Sequence, residues 1–270
     1  MKITIKRIID HTIILFACTF ATIPYILIIL SSFNTSVDIK KGDIFTNFNF
    51  TNFRTNFINL TADGNFVTSL INSIIVSVLT VVIGVFLASL AGYAYVMYKN
   101  KTMNRLFSLS FFSIMIPSSV IVIPLFMMLR FMNLLDSLFS VILVSLSLPF
   151  LIYLFRQNTK MFPRELIKIA RVDGLSEFSI YWRIYLPNMK AVFVTASLIL
   201  FIDTWNSLLY PLVIIQSQKN MMLSVYINSI GSSRTSDYGA FMIALLISTI
   251  PILILFVAVQ KQFRSGMRTM

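Results

Sequence analysis

Residues 156–187 read RQNTKMFPRELIKIARVDGLSEFSIYWRIYLP, the longest and most charged stretch between the chain's central apolar runs. Pro163 suits a first helical turn, where its missing N–H is not needed, and Glu165 complements the positive end of the helix dipole. Leu166, Ile167, Ile169 and Ala170 supply an apolar stripe, with Lys168 and Arg171 facing elsewhere. Asp173-Gly174 then ends the helix, because glycine takes the left-handed conformation of a C-terminal cap at little cost. Ser176 can cap a second helix, with Glu177 in its first turn. Phe178, Tyr181, Trp182 and Tyr185 follow at three- and four-residue spacing, a placement expected at a membrane interface, and Leu186-Pro187 closes the element. A connector that only joins two helices needs about 2–8 residues. This one is far longer and carries its own start and stop signals, which favours a helix–turn–helix docking element, residues 156–187, over a structural loop.

Outward from this loop the sequence is dominated by apolar runs. Of the 270 residues 57% are hydrophobic and only 12% charged, with mean hydropathy +0.84. A soluble domain carries roughly a quarter charged residues, and a globule this apolar would expose large adhesive patches. Six runs reach the roughly 17–25 residues that a bilayer span needs: residues 12–33, 67–98, 106–129, 138–155, 189–215 and 238–259. Prolines 117, 124, 149, 211 and 251 fit broken membrane helices. With the N-terminus inside, Lys and Arg divide 16 inside to 6 outside, which by the positive-inside rule puts both termini in the cytoplasm. Lys2, Lys6 and Arg7 before an apolar run, with Leu15-Phe16-Ala17-Cys18, resemble a lipoprotein signal. The run continues to Leu30, past the usual signal core, so an uncleaved first span is expected. Residues 34–65 read as a polar, Asn/Thr/Phe-rich outer loop, and no repeat or linker divides the chain. The expectation is an all-α polytopic membrane protein with one transmembrane domain over 1–270, its core about residues 66–262.

Composition also excludes functions. One Cys and one His, Cys18 and His11, cannot build a disulfide framework or a His/Cys metal site, so no metal and no cofactor is expected. A membrane enzyme would need a nucleophile and base at one depth, and none is evident. No G-x-x-x-x-G-K-[ST] run occurs, so any nucleotide chemistry belongs to another chain. The net charge of +12 lies in short groups between apolar runs, a topology pattern rather than a nucleic-acid face.

The run Glu165-Leu-Ile-Lys-Ile-Ala170-Arg-Val-Asp173-Gly174-Leu175-Ser176, continuing to Ile184-Tyr-Leu186-Pro187, resembles the EAA loop of permease subunits in binding-protein-dependent ABC importers. Ala170, Asp173, Gly174, Ile184, Leu186 and Pro187 match in order and spacing. Phe201-x-x-x-Trp205-Asn206-x-Leu208-x-x-Pro211-Leu212 resembles the carbohydrate branch, in the manner of the smaller maltodextrin-type permease. The likeness covers residues 66–266. It implies a type I importer (MetI-like) permease fold, a non-catalytic role, and a coupling loop (Glu165, Leu166, Ile167, Lys168, Ala170, Asp173, Gly174, Leu175 and Ser176) whose first helix seats in an ATPase cleft through Leu166, Ile167 and Ala170. It implies as partners a second homologous permease, two cytoplasmic ATPase subunits and an extracytoplasmic sugar-binding protein, with residues 216–237 a candidate contact for the last. Two departures stand out: Lys168-Ile169 replaces the family's Glu-Ala, and the chain lacks the glycine-rich basic ending, stopping at Gly266-Met-Arg-Thr-Met270.

Asp203 is the most informative intramembrane residue. A charge at the bilayer centre costs about 2.5–3.5 kcal/mol on insertion scales, so it should face protein or water. With Trp205 and Asn206 it either lines a polar substrate pathway, where Asp and Asn bond sugar hydroxyls and an indole stacks on a pyranose, or forms a buried hydrogen-bond pair holding helices together, or is a charge held near the membrane edge. The Met/Phe residues around Phe126–Met132 read as packing. A polyamine pathway would show several carboxylates and a glycerol phosphate pathway a basic lining. Neither is evident, which leaves a sugar or oligosaccharide the leading substrate class and another small solute the alternative. A simple channel would leave the docking loop unexplained.

Overall fold

The structure, a computed structural model, describes residues 2–45, 48–62, 64–98, 100–232 and 237–266, without the side chains of 2–6, 8 and 261–266. Lys99, Arg234 and Arg268 of the charge tally and the closing residues 267–270 lie outside them. Among the described residues the chain is helical and without strands. In order, the helices are α1 (Lys2–Ser32), α2 (Ser36–Lys41), α3 (Phe50–Thr61), α4 (Asn65–Met97), α5 (Lys101–Phe112), α6 (Ser118–Phe131), α7 (Leu138–Ser145), α8 (Pro149–Met161), α9 (Arg164–Val172), α10 (Glu177–Ile180), α11 (Leu186–Asn188), α12 (Lys190–Asn206), α13 (Leu209–Ile214), α14 (Leu223–Ser232) and α15 (Tyr238–Gly266).

Among the described residues three helices are long and apolar enough to cross a bilayer unbroken, at Ile9–Ser32, Asn65–Met97 and Tyr238–Gln260. Three further helix pairs, each bent at a short break, are long and apolar enough only when taken together. Helices α5 and α6 meet at 105°, α7 and α8 at 43°, and α12 lies at 80° to the helical stretch before it. The sequence runs at 106–129 and 138–155 are therefore not single straight helices. Ile116 and Pro117 are extended, with ψ 117° and 135°, because the proline ring disfavours the helical conformation for the residue before it. Pro149 likewise opens α8. Pro124 and Pro251 instead sit inside helices. The expected fifth span, 189–215, ends its main helix at Asn206, and α13 is a separate short helix beyond Ser207-Leu208.

The chain forms two compact units. In the unit of Met1–Val67 and Tyr226–Pro251, the described residues of the stretch 34–65 form two short capped helices. Thr35 and Asp38 form a capping box on α2, Gly42 ends that helix at φ 81°, and Asn49 caps α3. Buried Asn56 donates to the carbonyls of Ser32 and Asn34 at 3.1 and 3.0 Å. Asp237 accepts from Ser36 Oγ at 2.7 Å and Asn59 Nδ2 at 3.0 Å.

The unit of Thr68–Val225 and Ile252–Met270 is organised on one face of α4. Ser73, Ser77, Thr80, Gly84, Ala88 and Gly92 are buried on it at three- or four-residue spacing, a small-residue stripe that lets membrane helices approach closely. A Cβ at Gly92 would lie 2.5 Å from Phe155 Cβ and 2.9 Å from the Arg156 amide nitrogen. One at Gly84 would lie 2.7 Å from Leu200. The core beside this seam gathers Val85, Ala88, Leu148, Leu151, Phe155, Ala196 and Leu200.

Candidate functional site: a docking helix pair and a transmembrane cavity

Helix α9 ends in a Schellman turn. Gly174 adopts φ 79°, its N–H donates to Arg171 O at 3.1 Å, and the Leu175 N–H donates to Ala170 O at 3.0 Å, the paired bonds that satisfy a helix's last carbonyls. Ser176 Oγ then accepts from the Ser179 amide and starts the second helix. Across the turn, Arg171 Nε and Nη2 donate to Glu177 at 2.6 and 3.2 Å. The guanidinium of Arg171 holds the Glu177 carboxyl below the usual carboxylate range, and Glu177 in turn raises Arg171.

Two expectations for this element change. Ile167 and Ala170, expected to face a partner, are buried inside the chain at 2% and 3% exposure, in a cluster with Tyr93, Phe162, Ile180, Tyr181, Tyr185 and Met189. The helical period puts them on one side and leaves Ile169 and Val172, at 59% and 87%, on the other, with Leu166 on the flank. The outward face also carries Glu165 and Lys168; Asp173 and Gly174 are exposed at its end and Leu175 is half-buried. The aromatic row divides as well. Phe178 and Trp182 are exposed, whereas Tyr181 and Tyr185 turn inward. The helix does not stop at Leu186-Pro187 but runs on to Asn188 through a wide turn at Tyr181–Tyr185, and a π-type turn of this kind rotates side chains out of simple helical register.

Those inward tyrosines fasten the pair to the membrane helices. Tyr181 Oη shares a hydrogen bond with Ser89 Oγ at 2.5 Å, and Tyr185 Oη with Thr159 Oγ1 at 2.6 Å. Tyr93 Oη donates to Glu177 at 3.2 Å, and its ring meets Tyr185 edge-on at 4.8 Å between centroids. The docking element thus grips α4 and α8 as well as the α12 it precedes. No sequence motif marks Ser89, Tyr93 or Thr159.

At the other end of the same unit, Asp203 and Asn206 line a cavity of about 890 Å³ with Ser118, Ser147, Thr204 and Tyr210 among its walls. Asp203, Ser118 and Ser147 also border an adjoining cavity of about 390 Å³. Trp205 is not brought to this space. It is buried, its ring stacked on Phe201 at 5.6 Å and 13°. Thr204, 2% exposed, points a hydroxyl with no protein partner at this depth.

A clasp closes this end. Asp136, in the left-handed region at φ 56°, accepts on Oδ1 from the Gln216 and Ser217 amides at 3.1 and 3.0 Å and from Ser217 Oγ at 2.9 Å. Donation from Ser217 holds its carboxyl below the ordinary range. Asn72 Nδ2 donates to the carbonyls of Lys219 and Met221, and the Leu223 amide to Ser73 Oγ. A lone Asp in the turn between two apolar runs is the available sequence signal for Asp136.

Apolar helices of span length, a capped helix pair fastened to α4 and α8, and a polar-walled cavity in one all-α unit are the architecture of a membrane permease. The chain belongs to the family of binding-protein-dependent transport system inner membrane components, whose pattern matches residues 80–269. It is similar, at 31% identity over 99% of this chain and 98% of the relative, to the lactose transport system permease protein LacG of Rhizobium radiobacter. It is 29% identical, over 93% of this chain and 91% of the relative, to the arabinooligosaccharides transport system permease protein AraQ of Halalkalibacterium halodurans. Its fold matches a chain in the crystal structure of a bacterial ABC transporter involved in the import of the acidic polysaccharide alginate, with TM-score 0.82, 22% identity and 96% of each chain covered.

Proposed function

We propose that this protein is a transmembrane permease subunit of an ABC importer for a sugar or oligosaccharide, and that ATP is hydrolysed on a partner chain. The observation that carries the proposal is the α9–α10 pair, a capped helix with a free outer face whose inner face is fastened to α4 and α8. Such an element passes a rigid-body motion of a docked partner into the membrane helices. Similarity to lactose and arabinooligosaccharide permeases along nearly the whole chain supports the carbohydrate class and one permease domain over residues 1–270.

In this reading two cytoplasmic ATPase subunits close on ATP, and one of them seats α9 through Leu166, Ile169 and Val172. A second homologous permease completes the pathway in the lipid bilayer of the cell membrane, and both termini are cytoplasmic, as the 16-to-6 basic split favours. An extracytoplasmic sugar-binding protein delivers substrate near residues 216–237, of which 233–236 lie outside the described residues. Asp203 and Asn206 border the path. The test is to co-purify the assembly and measure ATP hydrolysis with binding protein loaded from a panel containing lactose and arabinotriose. Stimulation by a loaded sugar is expected; absence of any ATPase partner overturns the reading.

A further inference from the structure

Among the described residues the walls of the two cavities hold serine hydroxyls, the Asn206 amide, the Tyr210 phenol and apolar groups, with one carboxyl side chain, Asp203. No Lys or Arg among the described residues borders either space. Asp203 is exposed to the cavities, and it is common to both of them. The Asn206 amide, with the Ser207 hydroxyl and the Tyr210 phenol, lies on the same wall and offers hydrogen bonds that a hydroxylated solute or water can use and an apolar one cannot. A carboxylate in a partly enclosed, low-dielectric space repels a second anion far more strongly than it does in bulk water, and specificity is commonly built from such a repulsive element.

We infer that this cavity is a charge filter, with Asp203 admitting uncharged or cationic hydroxylated solutes and rejecting carboxylated ones such as uronates. The inference rests on the reading of the cavity as part of the solute path and narrows it to neutral sugars. Asp203 is a specificity-determining residue in this account, and Asn206 supplies neutral hydrogen bonding beside it.

Cys18 is the chain's single cysteine, so Cys18→Ser/Ser118→Cys places one thiol in both cavities. In membranes containing the full-length chain, its modification rate is measured with methanethiosulfonate reagents of similar size bearing a cationic, an anionic or a neutral group, each normalised to free cysteine. The cation-to-anion rate ratio is expected to exceed that of free cysteine by about tenfold or more, a factor equivalent to about 1.4 kcal/mol, and Asp203→Asn is expected to return it to the free value. Should Ser118→Cys fail to accumulate, Ser147→Cys probes the same two walls. A ratio equal to that of free cysteine, a ratio unmoved by Asp203→Asn, or no reaction even with the neutral reagent overturns the filter. Lactose transport by an assembly that shows no charge bias would sink the filter and leave the sugar permease standing. A charge bias in an assembly that couples to no sugar supports the filter and sinks the sugar reading.

Discussion

Gly174 separates backbone strain from bulk. Its φ of 79° is the left-handed conformation, and a Cβ built there meets nothing within 4 Å. Substitution therefore costs conformational energy without a steric clash inside the chain. For alanine that cost is about 1–2 kcal/mol, and both Schellman bonds, from Gly174 to Arg171 and from Leu175 to Ala170, resist relaxation by rotation out of the region. Asparagine tolerates the region better than other non-glycine residues, and a β-branched residue tolerates it worst. Thermal unfolding of the purified permease should rank Gly174 above Asn, Asn above Ala and Ala above Val. Side-chain volume would rank Ala above Asn, so the Ala/Asn pair decides. If Gly174→Ala is as stable as the wild type, or more stable than Gly174→Asn, the strain account is wrong. Sugar-stimulated ATP hydrolysis by the assembled transporter supplies the functional half of the assay: under the coupling proposal it falls in the same order, because the angle between α9 and α10 is set at this residue.

Gly92 makes the opposite test, since a Cβ there meets Phe155 and the Arg156 backbone nitrogen below 3.0 Å; Gly92→Ala should lose about 1–3 kcal/mol by overpacking, read as lowered thermal stability, whereas an unchanged midpoint would mean that α4 and α8 do not approach this closely. The Arg171–Glu177 pair has side chains 41% exposed, so Glu177→Gln should cost no more than about 1 kcal/mol near neutral pH. The folded Glu177 carboxyl titrates below its ordinary value, so this advantage is complete above about pH 4.3 and disappears as pH falls through the lower folded value; melting curves of both proteins across that range check it, and an advantage that grows with acidification refutes it. Asp136→Ala removes the acceptor of three hydrogen bonds from Gln216 and Ser217 and should speed amide hydrogen exchange at those two residues while leaving Leu175, at the docking turn, unchanged.

Much of this fold was legible because membrane crossing writes long apolar runs and because helix caps are local. Ser176, Glu177 and the Asp173-Gly174 stop all occupy the positions their chemistry suggested. Bends were less legible. Pro117 and Pro149 interrupt crossings while Pro124 and Pro251 do not, and a proline in a membrane helix is tolerated wherever neighbouring groups satisfy the freed carbonyl. The side of α9 that faces inward was not readable from local pattern, because Leu166, Ile167, Ile169, Ala170 and Val172 spread over an apolar arc wider than one packed face, opposite Arg164, Lys168 and Arg171. Which of them is buried is decided by tertiary contact with Tyr93, Tyr181 and Tyr185. Trp205 shows the same limit: its neighbours Asp203 and Asn206 reach the cavity, but rotation of about 100° per residue turns the indole away, onto Phe201.

Helix α4 makes the proposed coupling physically economical. Its contacts with the docking pair, at Ser89 and Tyr93, and its contacts with the stretch around Lys219–Leu223, at Asn72 and Ser73, lie at opposite ends of one unbroken helix. From Asn72 to Tyr93 the axial distance is about 31 Å at 1.5 Å per residue, close to the roughly 30 Å thickness of a bilayer's hydrocarbon core. The stripe from Ser73 to Gly92 between those ends holds the strut against α8 and α12 through backbone-close contacts at Gly84 and Gly92, where a small displacement has no soft side chain to absorb it at Gly92. Packed interfaces of this density shift as bodies rather than deform continuously. Under the coupling proposal a force applied to α9 reaches the far end of α4 without a relay of side-chain rearrangements, and the Asn72 and Ser73 hydrogen bonds to the stretch around Lys219–Leu223 are where this unit registers it.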